Sequence, residues 1–419
     1  MTSQPPQAPE RLLKEMFAAA VAAADPKKRV PMFLPSRPKG RTLVIGAGKA
    51  SAAMAAAVEG VWDGDLSGLV VTRYGHGAPC KRIEIVEASH PVPDAAGQKA
   101  AQRMGELVKN LTEDDLVVCL ISGGGSALLT APAPGLTLEH KQDINRQLLA
   151  SGAPIAAMNC VRKHLSAMKG GRLAAMAYPA QVVSLIISDV PGDDPSVVAS
   201  GPTVPDASTR EEALAHIARY GIKLPEPVAQ WLARPESETP KPGDPRLSRT
   251  VNHMIGTPVL SLTAAAEVAR RHGYEVIDLG DRIEGESRAV AQEQAALAKR
   301  TKPGTVILSG GETTVTLKGK GRGGRNAEFA LGLAIALDGA PGIYGIACDT
   351  DGIDGSEDNA GAFVTPQTLA LGRAKGIDAA QYLANNDAYG YFAATGQLVV
   401  TGPTLTNVND FRAIVIAKP

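Results

Sequence analysis

The pattern that most constrains this chain is a repeated order of short apolar run, glycine-rich polar turn and helix. Three runs show it, and each is apolar at nearly every position, without alternation: Thr42–Ile45, Leu116–Ile121 and Val182–Ile187. Continuous apolar runs of this length are typical of parallel strands that are buried on both faces of a sheet. The pattern therefore predicts an α/β fold whose N-terminal part is a Rossmann-like domain with a mostly parallel sheet.

A proline-rich segment separates this part from a second one with a different pattern. Residues 235–246 carry four prolines with charged residues between them, which is typical of a linker. Beyond them, strands and helices alternate less regularly, which indicates a mixed sheet. We predict an N-terminal domain over residues 1–235, a linker over residues 236–250, and a C-terminal α/β domain over residues 251–419.

Charge and cysteine content exclude several classes of protein. Lys and Arg number 43, and so do Asp and Glu. This balance argues against nucleic acid or an acidic membrane as a partner, because both require a basic surplus. The four cysteines form no CxxC pair, which argues against a paired-cysteine zinc site. No apolar run is long enough for a membrane helix, and we expect a cytoplasmic location.

The turn Gly46-Ala-Gly-Lys-Ala-Ser51 follows the first predicted strand and opens a helix. Ligands of open α/β sheets bind at the carboxyl ends of strands. The dinucleotide fingerprint fails here, because it requires glycine where Ser51 stands, and the P-loop pattern fails as well. A helix N-terminus still favours anions, so we predict an anion site with Gly48 and Lys49. A tight turn with a surface lysine is the alternative.

A second glycine-rich turn follows the predicted strand that ends at Ile121. Successive glycine N–H groups and two hydroxyls can hold a phosphate. The alternative is a flexible turn, and a hydrolase nucleophile elbow is disfavoured because Leu128 stands where that motif requires glycine. The predicted phosphate-binding residues are Ser122, Gly123, Gly124, Gly125 and Ser126.

Two acidic loops follow predicted strands. One contains Asp189, Asp193 and Asp194, and the other Asp349, Asp351 and Asp354. Oxygen-rich loops of this kind suit Mg²⁺, which also takes ligands from substrate phosphates and water. We predict metal binding or general-base work in one of the loops, whereas ordinary Asp-Gly turns are the alternative.

Three further segments contain basic or titratable candidates. The glycine-rich loop 318–326 places Arg325 at the start of a predicted helix, where it could clamp an oxyanion; a mobile hairpin tip is the alternative. Residues 159–172 carry several cations, which indicates either a binding surface or a solvated helix face. His90 lies in a proline-rich turn and is a candidate carboxylate ligand, although a structural role is the alternative.

Together these segments resemble the type II glycerate kinase family, whose C-terminal part is called the MOFRL domain. The resemblance covers roughly residues 10–417. It is carried by the stretches GAGKAS, SHPVPD, SGGGSALL, NCVRKHLSAMKGGRLA, SDVPGDDPSVVASGPTVPD, LSGGETTVTLKGKGRGGRNAEFAL, DTDGIDGSEDNAGAFV and TGPTLTNVND.

The resemblance implies ATP-dependent phosphorylation of D-glycerate at its 2-hydroxyl, with Mg²⁺, in a cleft between the two domains. It points to Lys49 and Arg325 as charge-stabilising catalytic residues. Asp189 and Asp351 compete for the roles of general base and metal support. Further candidates are His90, Glu312 and Asn326 for substrate or phosphate binding, with Asp189 and Asp193 for the metal.

Two other functions stay open at this point. Some relatives carry the name hydroxypyruvate reductase, which implies a nicotinamide cofactor, but the missing dinucleotide fingerprint disfavours that activity. A non-catalytic sensor of a sugar acid or phosphate would bind without turnover. A homodimer is compatible with the sequence. For the kinase, we expect Lys49→Ala and Arg325→Ala each to lower kcat by on the order of 10²-fold without unfolding the protein.

Overall fold

The structure is a computed structural model, and it describes residues 8–419. The strands, in chain order, are β1 (Thr42–Ala47), β2 (Ser67–Arg73), β3 (Ile83–Ala88), β4 (Leu116–Ser122), β5 (Gln181–Ile187), β6 (Thr250–Gly256), β7 (Glu275–Asp278), β8 (Ile283–Glu286), β9 (Thr305–Ser309), β10 (Gly311–Thr314), β11 (Ile343–Asp349), β12 (Gly361–Val364), β13 (Leu398–Val399) and β14 (Asp410–Ile416).

The helices, in chain order, are α1 (Ala8–Ala23), α2 (Pro26–Arg29), α3 (Ser51–Val61), α4 (Ala95–Leu107), α5 (Gly125–Leu128), α6 (Leu138–Ala150), α7 (Ile155–His164), α8 (Arg172–Ala177), α9 (Arg210–Arg219), α10 (Glu226–Leu232), α11 (Pro258–Arg271), α12 (Ser287–Arg300), α13 (Arg325–Leu337), α14 (Thr368–Ala374), α15 (Ala379–Ala384) and α16 (Ala388–Thr395). Among the helices of residues 8–419, none has both the length and the hydropathy that crossing a bilayer requires.

The chain forms two compact units. The first unit consists of Pro26–Ser188 and Asp193–Ile255. The second unit consists of the described residues up to Asp25, together with Asp189–Gly192 and Gly256–Pro419.

The first unit is built on a six-stranded sheet with the order β3-β2-β1-β4-β5-β6. Strand β1 runs parallel to both β2 and β4, and β4 runs parallel to β5. Every residue of β1 and β4 is buried, which confirms the prediction from continuous apolar runs. Because parallel strands end at the same edge, the turns after β1 and β4 are neighbours, which brings the two predicted glycine-rich turns together.

The second unit is built on a mixed sheet with the order β13-β12-β11-β14-β9-β7. Strands β7 and β9 are parallel, whereas β11 is antiparallel to both β12 and β14. Successive side chains of a strand point to opposite faces. Accordingly, Val306 and Leu308 pack with α1 and α11, whereas Ile307 packs with α12 and α13. The sheet therefore lies between two helical layers.

Helix α1 packs in the second unit although it precedes the whole first unit in the chain. Leu13, Met16 and Phe17 are buried in the same cluster as Leu262 of α11, and Ser261 Oγ donates to the Ala20 carbonyl at 2.7 Å. The predicted N-terminal domain included this helix, and it also included residues 1–7, which lie outside the described residues.

Residues 236–250, predicted as a linker, are held on the first unit. Arg172 Nη2 donates to the carbonyls of Ser237 at 2.7 Å and Glu238 at 3.0 Å. Thr239 Oγ1 donates to Asp206 Oδ2 at 3.0 Å, and the segment leads directly into β6. The domain boundaries at 235 and 251 stay a prediction, while the compact units begin and end elsewhere.

Asp115 joins the starts of β1 and β4, and its removal is expected to destabilise the first unit. Its buried carboxylate accepts from Arg41 N at 2.7 Å, Arg41 Nη2 at 2.9 Å and Thr112 N at 2.8 Å. We expect Asp115→Ala to lower the free energy of unfolding by about 3 kcal/mol, because these donors lose their acceptor. Urea denaturation measures this, with the exposed Asp114→Ala as matched control. An equal effect of both variants would contradict the assignment.

The same carboxylate makes stability depend on pH. The hydrogen bond from Arg41, above all, lowers the pKa of Asp115 from its ordinary value of 3.8, with further lowering by the N–H groups of Thr112 and Arg41. A lowered folded-state pKa contributes stability that is present above the ordinary value and is lost as pH falls. The difference in stability between wild type and Asp115→Ala is therefore expected to shrink below about pH 4.

Candidate active site

The turn between β1 and α3 is closed by its own backbone. Gly48 has φ +148°, and a Cβ atom there would lie 2.1 Å from Ser122 Oγ, so this position requires glycine. The N–H groups of Gly48, Lys49 and Ala50 donate to the Val71 carbonyl at 3.1 Å, the Gly123 carbonyl at 2.8 Å and Ser122 Oγ at 3.0 Å. These donors, predicted to hold an anion, are therefore used within the protein.

Ser122 is predicted to bind phosphate, which stays a prediction, and its side chain also has a role inside the protein. Its side chain is fully buried and lies 3.2 Å from Ser51 Oγ while it accepts from Ala50 N. It therefore ties the end of β4 to the start of α3. The residue type suggested a ligand, but a hydroxyl at a strand end also serves as an acceptor for a neighbouring turn.

The second glycine-rich turn brings three predicted residues together. Gly124 has φ +78°, and a Cβ atom there would lie 3.1 Å from the His90 ring and 3.3 Å from Lys49 Cγ. The position requires glycine both for its backbone conformation and for this close approach. Lys49, His90 and Gly124 are thus neighbours in the first unit.

Gly123, Gly125 and Ser126 complete this turn. The Gly123 carbonyl accepts from Lys49 N, while Gly125 and Ser126 begin the short helix α5, whose first N–H groups have no acceptor inside the helix. Ser126 Oγ lies 2.6 Å from Ser200 Oγ. Phosphate binding by this turn stays a prediction.

A cavity of about 550 Å³ opens beside this turn. Its lining includes His90, Gly124 and Ser126, together with four cations that were not among the predicted site residues. The cations that line it are Lys141, Arg146, Arg162 and Lys169. No motif in the sequence indicates a role for Lys141. Arg162 and Lys169 belong to the segment 159–172, which the sequence left open as either a binding surface or a solvated helix face. Lys169 is in fact 4% exposed.

In the second unit, Arg325 lies at the start of α13 in a network of acidic and amide side chains. Its Nε donates to Asp410 Oδ1 at 2.7 Å, its Nη1 to Glu312 Oε1 at 2.8 Å, and its Nη2 to Asp349 Oδ2 at 3.2 Å. Burial opposes the charge of Arg325, but these three carboxylates outweigh it and raise the guanidinium pKa above its ordinary value. The guanidinium is therefore charged at any working pH and rigidly oriented.

Glu312 and Asn326, both predicted as site residues, lie in this network. Glu312 is half-exposed and pairs with Arg325. Asn326 is predicted to bind substrate or phosphate, which stays a prediction, and the residue is fully buried. Its amide donates to Asp410 Oδ1 at 2.8 Å, so it holds the carboxylate that orients Arg325. Asp410 itself was missed, since it lies at the start of a strand rather than in an acidic loop.

Asp354 caps α13. Its Oδ1 accepts from Asn326 N at 3.0 Å and its Oδ2 from Ala327 N at 2.8 Å, which satisfies two N–H groups at the helix start. Burial raises the pKa of Asp354 to about 6 even though these N–H groups favour its charged form. The predicted acidic loop thus supplies a helix cap as well as Asp349.

Asp189 is connected to Arg325 through one amide side chain. Asn409 Nδ2 donates to the Asp189 carbonyl at 2.9 Å, and Asn409 Oδ1 accepts from Arg325 Nη2 at 2.8 Å. Asn407 Nδ2 donates to Asp189 Oδ2 at 3.1 Å. The sequence analysis did not predict these two asparagines as site residues, although two asparagines so close together before a strand could have indicated a polar site.

Asp351 is next to this network, since its N–H donates to Asp349 Oδ1 at 3.1 Å. Asp351 is 1% exposed, and its Oδ1 accepts from Ile353 N at 2.9 Å. Asp193 belongs to the first unit, whereas Asp189 belongs to the second. Within residues 8–419, no group of three or more His, Cys, Asp or Glu side chains is arranged to hold a metal ion. The metal assignment to Asp189 and Asp193 stays a prediction.

The basic loop before Arg325 is anchored along its length. The N–H groups of Lys318 and Arg322 donate to Asn386 Oδ1 at 2.7 Å and to Asp387 Oδ1 at 3.1 Å. A Cβ atom at Gly319 would lie 2.2 Å from the Asn385 carbonyl oxygen. The loop is therefore glycine-rich because it packs against residues 385–387, and this packing sets the position of Arg325.

Two family models match the chain. One, described as a domain of unknown function (DUF4147), matches residues 12–233, and the MOFRL family model matches residues 305–410. Between them they cover the turns of the first unit and the Arg325 network of the second.

Similar proteins extend over nearly the whole chain. The D-glycerate 2-kinase of Thermotoga maritima is 41% identical, over 97% of this chain and 98% of its own. A protein of Agrobacterium vitis, provisionally named a hydroxypyruvate reductase, is 56% identical over 97% and 94%. The crystal structure of Thermotoga maritima glycerate kinase has a TM-score of 0.90 at 40% identity, covering 98% of this chain and all of the other.

Proposed function

Because this chain belongs to the glycerate kinase family with DUF4147 and MOFRL domains, we propose that it transfers the γ-phosphoryl group of ATP to the 2-hydroxyl of D-glycerate. The products are 2-phosphoglycerate and ADP. The observation that carries the proposal is the match to a D-glycerate 2-kinase across both compact units. The family membership confirms the resemblance found in the sequence.

Phosphoryl transfer needs positive charge around the migrating group and a group that orients the attacking hydroxyl. Lys49 and Arg325 supply positive charge in this proposal. Arg325 is suited to it, because its three carboxylate partners hold the guanidinium charged and in one orientation. A donor that is already oriented needs no rearrangement as charge develops in the transition state.

Asp189 is the better candidate for the general base. It is half-buried, whereas Asp351 is 1% exposed. Asn407 and Asn409 hold its carboxylate and its backbone, so these contacts fix the position of the side chain. In the proposed reaction Asp189 accepts the proton of the 2-hydroxyl as the oxygen attacks phosphorus and the bond to ADP breaks.

The family implies Mg²⁺. Mg²⁺ in kinases takes one or two carboxylates and completes its shell with phosphate oxygens and water. Asp189 and Asp193 follow β5 in one acidic loop, and their carboxylate oxygens are the ligand type that such a site uses. Asp193 is a proposed ligand, with Asp189 as a second proposed ligand in the alternative where Asp351 serves as the base, and the ion would neutralise phosphate charge when bound.

A hydroxypyruvate reductase is the second candidate, because the Agrobacterium vitis relative carries that name. Nicotinamide dinucleotides place their pyrophosphate on free N–H groups of the first βα turn. Here the N–H groups of Gly48, Lys49 and Ala50 all donate to protein acceptors. This geometry, together with Ser51 in place of the third glycine, disfavours the reductase.

A coupled absorbance assay separates the two activities. The kinase predicts ADP only when ATP and D-glycerate are both present, and no loss of NADH or NADPH with hydroxypyruvate. L-glycerate and a reaction without acceptor serve as controls. Oxidation of NADH or NADPH by hydroxypyruvate in the absence of ATP, with no ADP from D-glycerate, would overturn the kinase in favour of the reductase.

A further inference from the structure

The 550 Å³ cavity of the first unit is strongly cationic. Lys141, Arg146, Arg162 and Lys169 line it, and no Asp or Glu is among the lining residues. Clefts lined by one sign of charge concentrate ligands of the opposite sign. The cavity therefore selects an anion.

Three of these cations, Lys141, Arg162 and Lys169, are not neutralised by an acidic side chain of residues 8–419. The Lys141 Nζ atom is buried without a hydrogen-bond partner in residues 8–419. Lys169 Nζ donates to the neutral Ser126 carbonyl at 2.5 Å. Arg162 Nε donates to the neutral Asn145 Oδ1 at 2.8 Å.

A neighbouring lysine shows the ordinary alternative. Lys163 is adjacent to Arg162 in sequence, is 7% exposed, and forms an ion pair with Asp206 at 3.2 Å. Buried charges are normally paired in this way. Lys141, Arg162 and Lys169 depart from that rule together and at one cavity, which indicates that their counter-charge comes from a ligand.

Their electrostatics agree with this geometry. Burial, followed by the charge of Arg162, lowers the pKa of Lys141 to about 8. Burial, with the charges of Lys141 and Arg162, lowers the pKa of Lys169 well below its ordinary value. An anion between these groups would remove the mutual repulsion and restore their protonation.

Part of the exposed rim of the cavity is apolar. Val92 is 62% exposed and Leu149 is 60% exposed, and both line the cavity together with Pro91, Pro93 and Leu138. A ligand that is anionic at one end and apolar and flat at the other suits this arrangement. The volume lies within the range of cofactor pockets, about 300–1,000 Å³, whereas a three-carbon acid would leave most of it empty.

We propose that this cavity is the nucleotide site, with the phosphates of ADP or ATP against Lys141, Arg162 and Lys169 and the base on the rim formed by Val92 and Leu149. The proposal rests on the proposed kinase function and deepens it. Lys141, Arg162 and Lys169 are binding residues for the phosphate chain in this account.

Isothermal titration of ADP into Lys141→Met tests the proposal without turnover. Hydrogen bonds to charged groups are strong enough that we expect the Kd for ADP to rise about 10-fold to 100-fold. Thermal unfolding is expected at the same temperature as wild type or higher, because an unpartnered buried charge destabilises the folded chain. The exposed Lys99→Met, in the same unit and outside the cavity lining, is the matched control and should bind ADP as wild type does.

The outcomes separate this proposal from the kinase itself. An unchanged Kd for ADP in Lys141→Met, with glycerate phosphorylation intact in wild type, would overturn the nucleotide site and leave the kinase standing. A raised KM for D-glycerate with an unchanged Kd for ADP would assign the cavity to the acceptor carboxylate and also overturn it. Normal ADP binding by wild type that is weakened in Lys141→Met supports the site even where no glycerate is phosphorylated, in which case the kinase proposal alone fails.

Discussion

Replacing Arg325 by alanine is expected to lower kcat for glycerate phosphorylation by about 10²-fold or more. It is also expected to lower the free energy of unfolding by about 3 kcal/mol, because Asp410 and Asp349 are buried and would lose their shared cation. This loss of stability was not expected from the sequence, because the sequence does not show the buried carboxylates that contact Arg325. The carboxylate contacts of Arg325, at 2.7 to 3.2 Å, are the cause.

Steady-state kinetics and urea denaturation of the same preparation measure both effects. Arg322→Ala is the matched control, since Arg322 lies in the same loop but is 61% exposed at its side chain and pairs with Glu357 at 3.5 Å. We expect its kcat within about threefold of wild type and little change in stability. Near-normal turnover by folded Arg325→Ala would remove this residue from the catalytic assignment.

Replacing Lys49 by alanine is expected to lower kcat by about 10²-fold without unfolding the protein. Lys49 directly precedes the N-cap of α3, where a positive charge is unfavourable to the helix dipole. A cation in that place is not explained by helix stability, which is consistent with a functional role. Kinetics with saturating ATP and D-glycerate, together with thermal unfolding, measure the two quantities.

A double variant tests whether Lys49 and Arg325 act on the same transition state. Groups that act as a unit show losses that are far from additive. We expect Lys49→Ala/Arg325→Ala to lose much less than the product of the two single losses. Multiplicative losses would contradict a shared role, and retention of charge in Lys49→Arg should restore part of kcat if charge is what matters.

Local patterns in the sequence were enough for the elements that form the edge of the site. The continuous apolar runs predicted β1, β4 and β5 correctly. The start of α13 at Arg325 was also predicted. These features depend on neighbouring residues, which is why the sequence carries them.

Long-range packing was not accessible in the same way. The amphipathic pattern of α1 shows that one face is buried, but not that its partner is α11, some 250 residues away. Residues 236–250 look like a linker because of their prolines, whereas Arg172 and Thr239 hold them on the first unit. Contacts of this kind depend on which surfaces meet after folding.

Residue type alone does not show how deeply a predicted ligand is buried. Ser122 and Asn326 are predicted to bind ligands, and both are fully buried and also contact neighbouring groups of the protein. Conversely, Lys141 carries no motif, and only the fold shows that its ammonium faces a cavity with two other cations. The chemistry of a side chain limits what it can do, while its exposure determines what it does.

Phosphorus NMR of the complete reaction tests the central claim most directly. Purified protein is incubated with ATP, Mg²⁺ and D-glycerate, and the phosphorylated product is identified by its chemical shift and by addition of authentic standards. The account predicts 2-phosphoglycerate in equal amount to ADP. The appearance of 3-phosphoglycerate, or the absence of any phosphorylated acid while the protein remains folded, would contradict it.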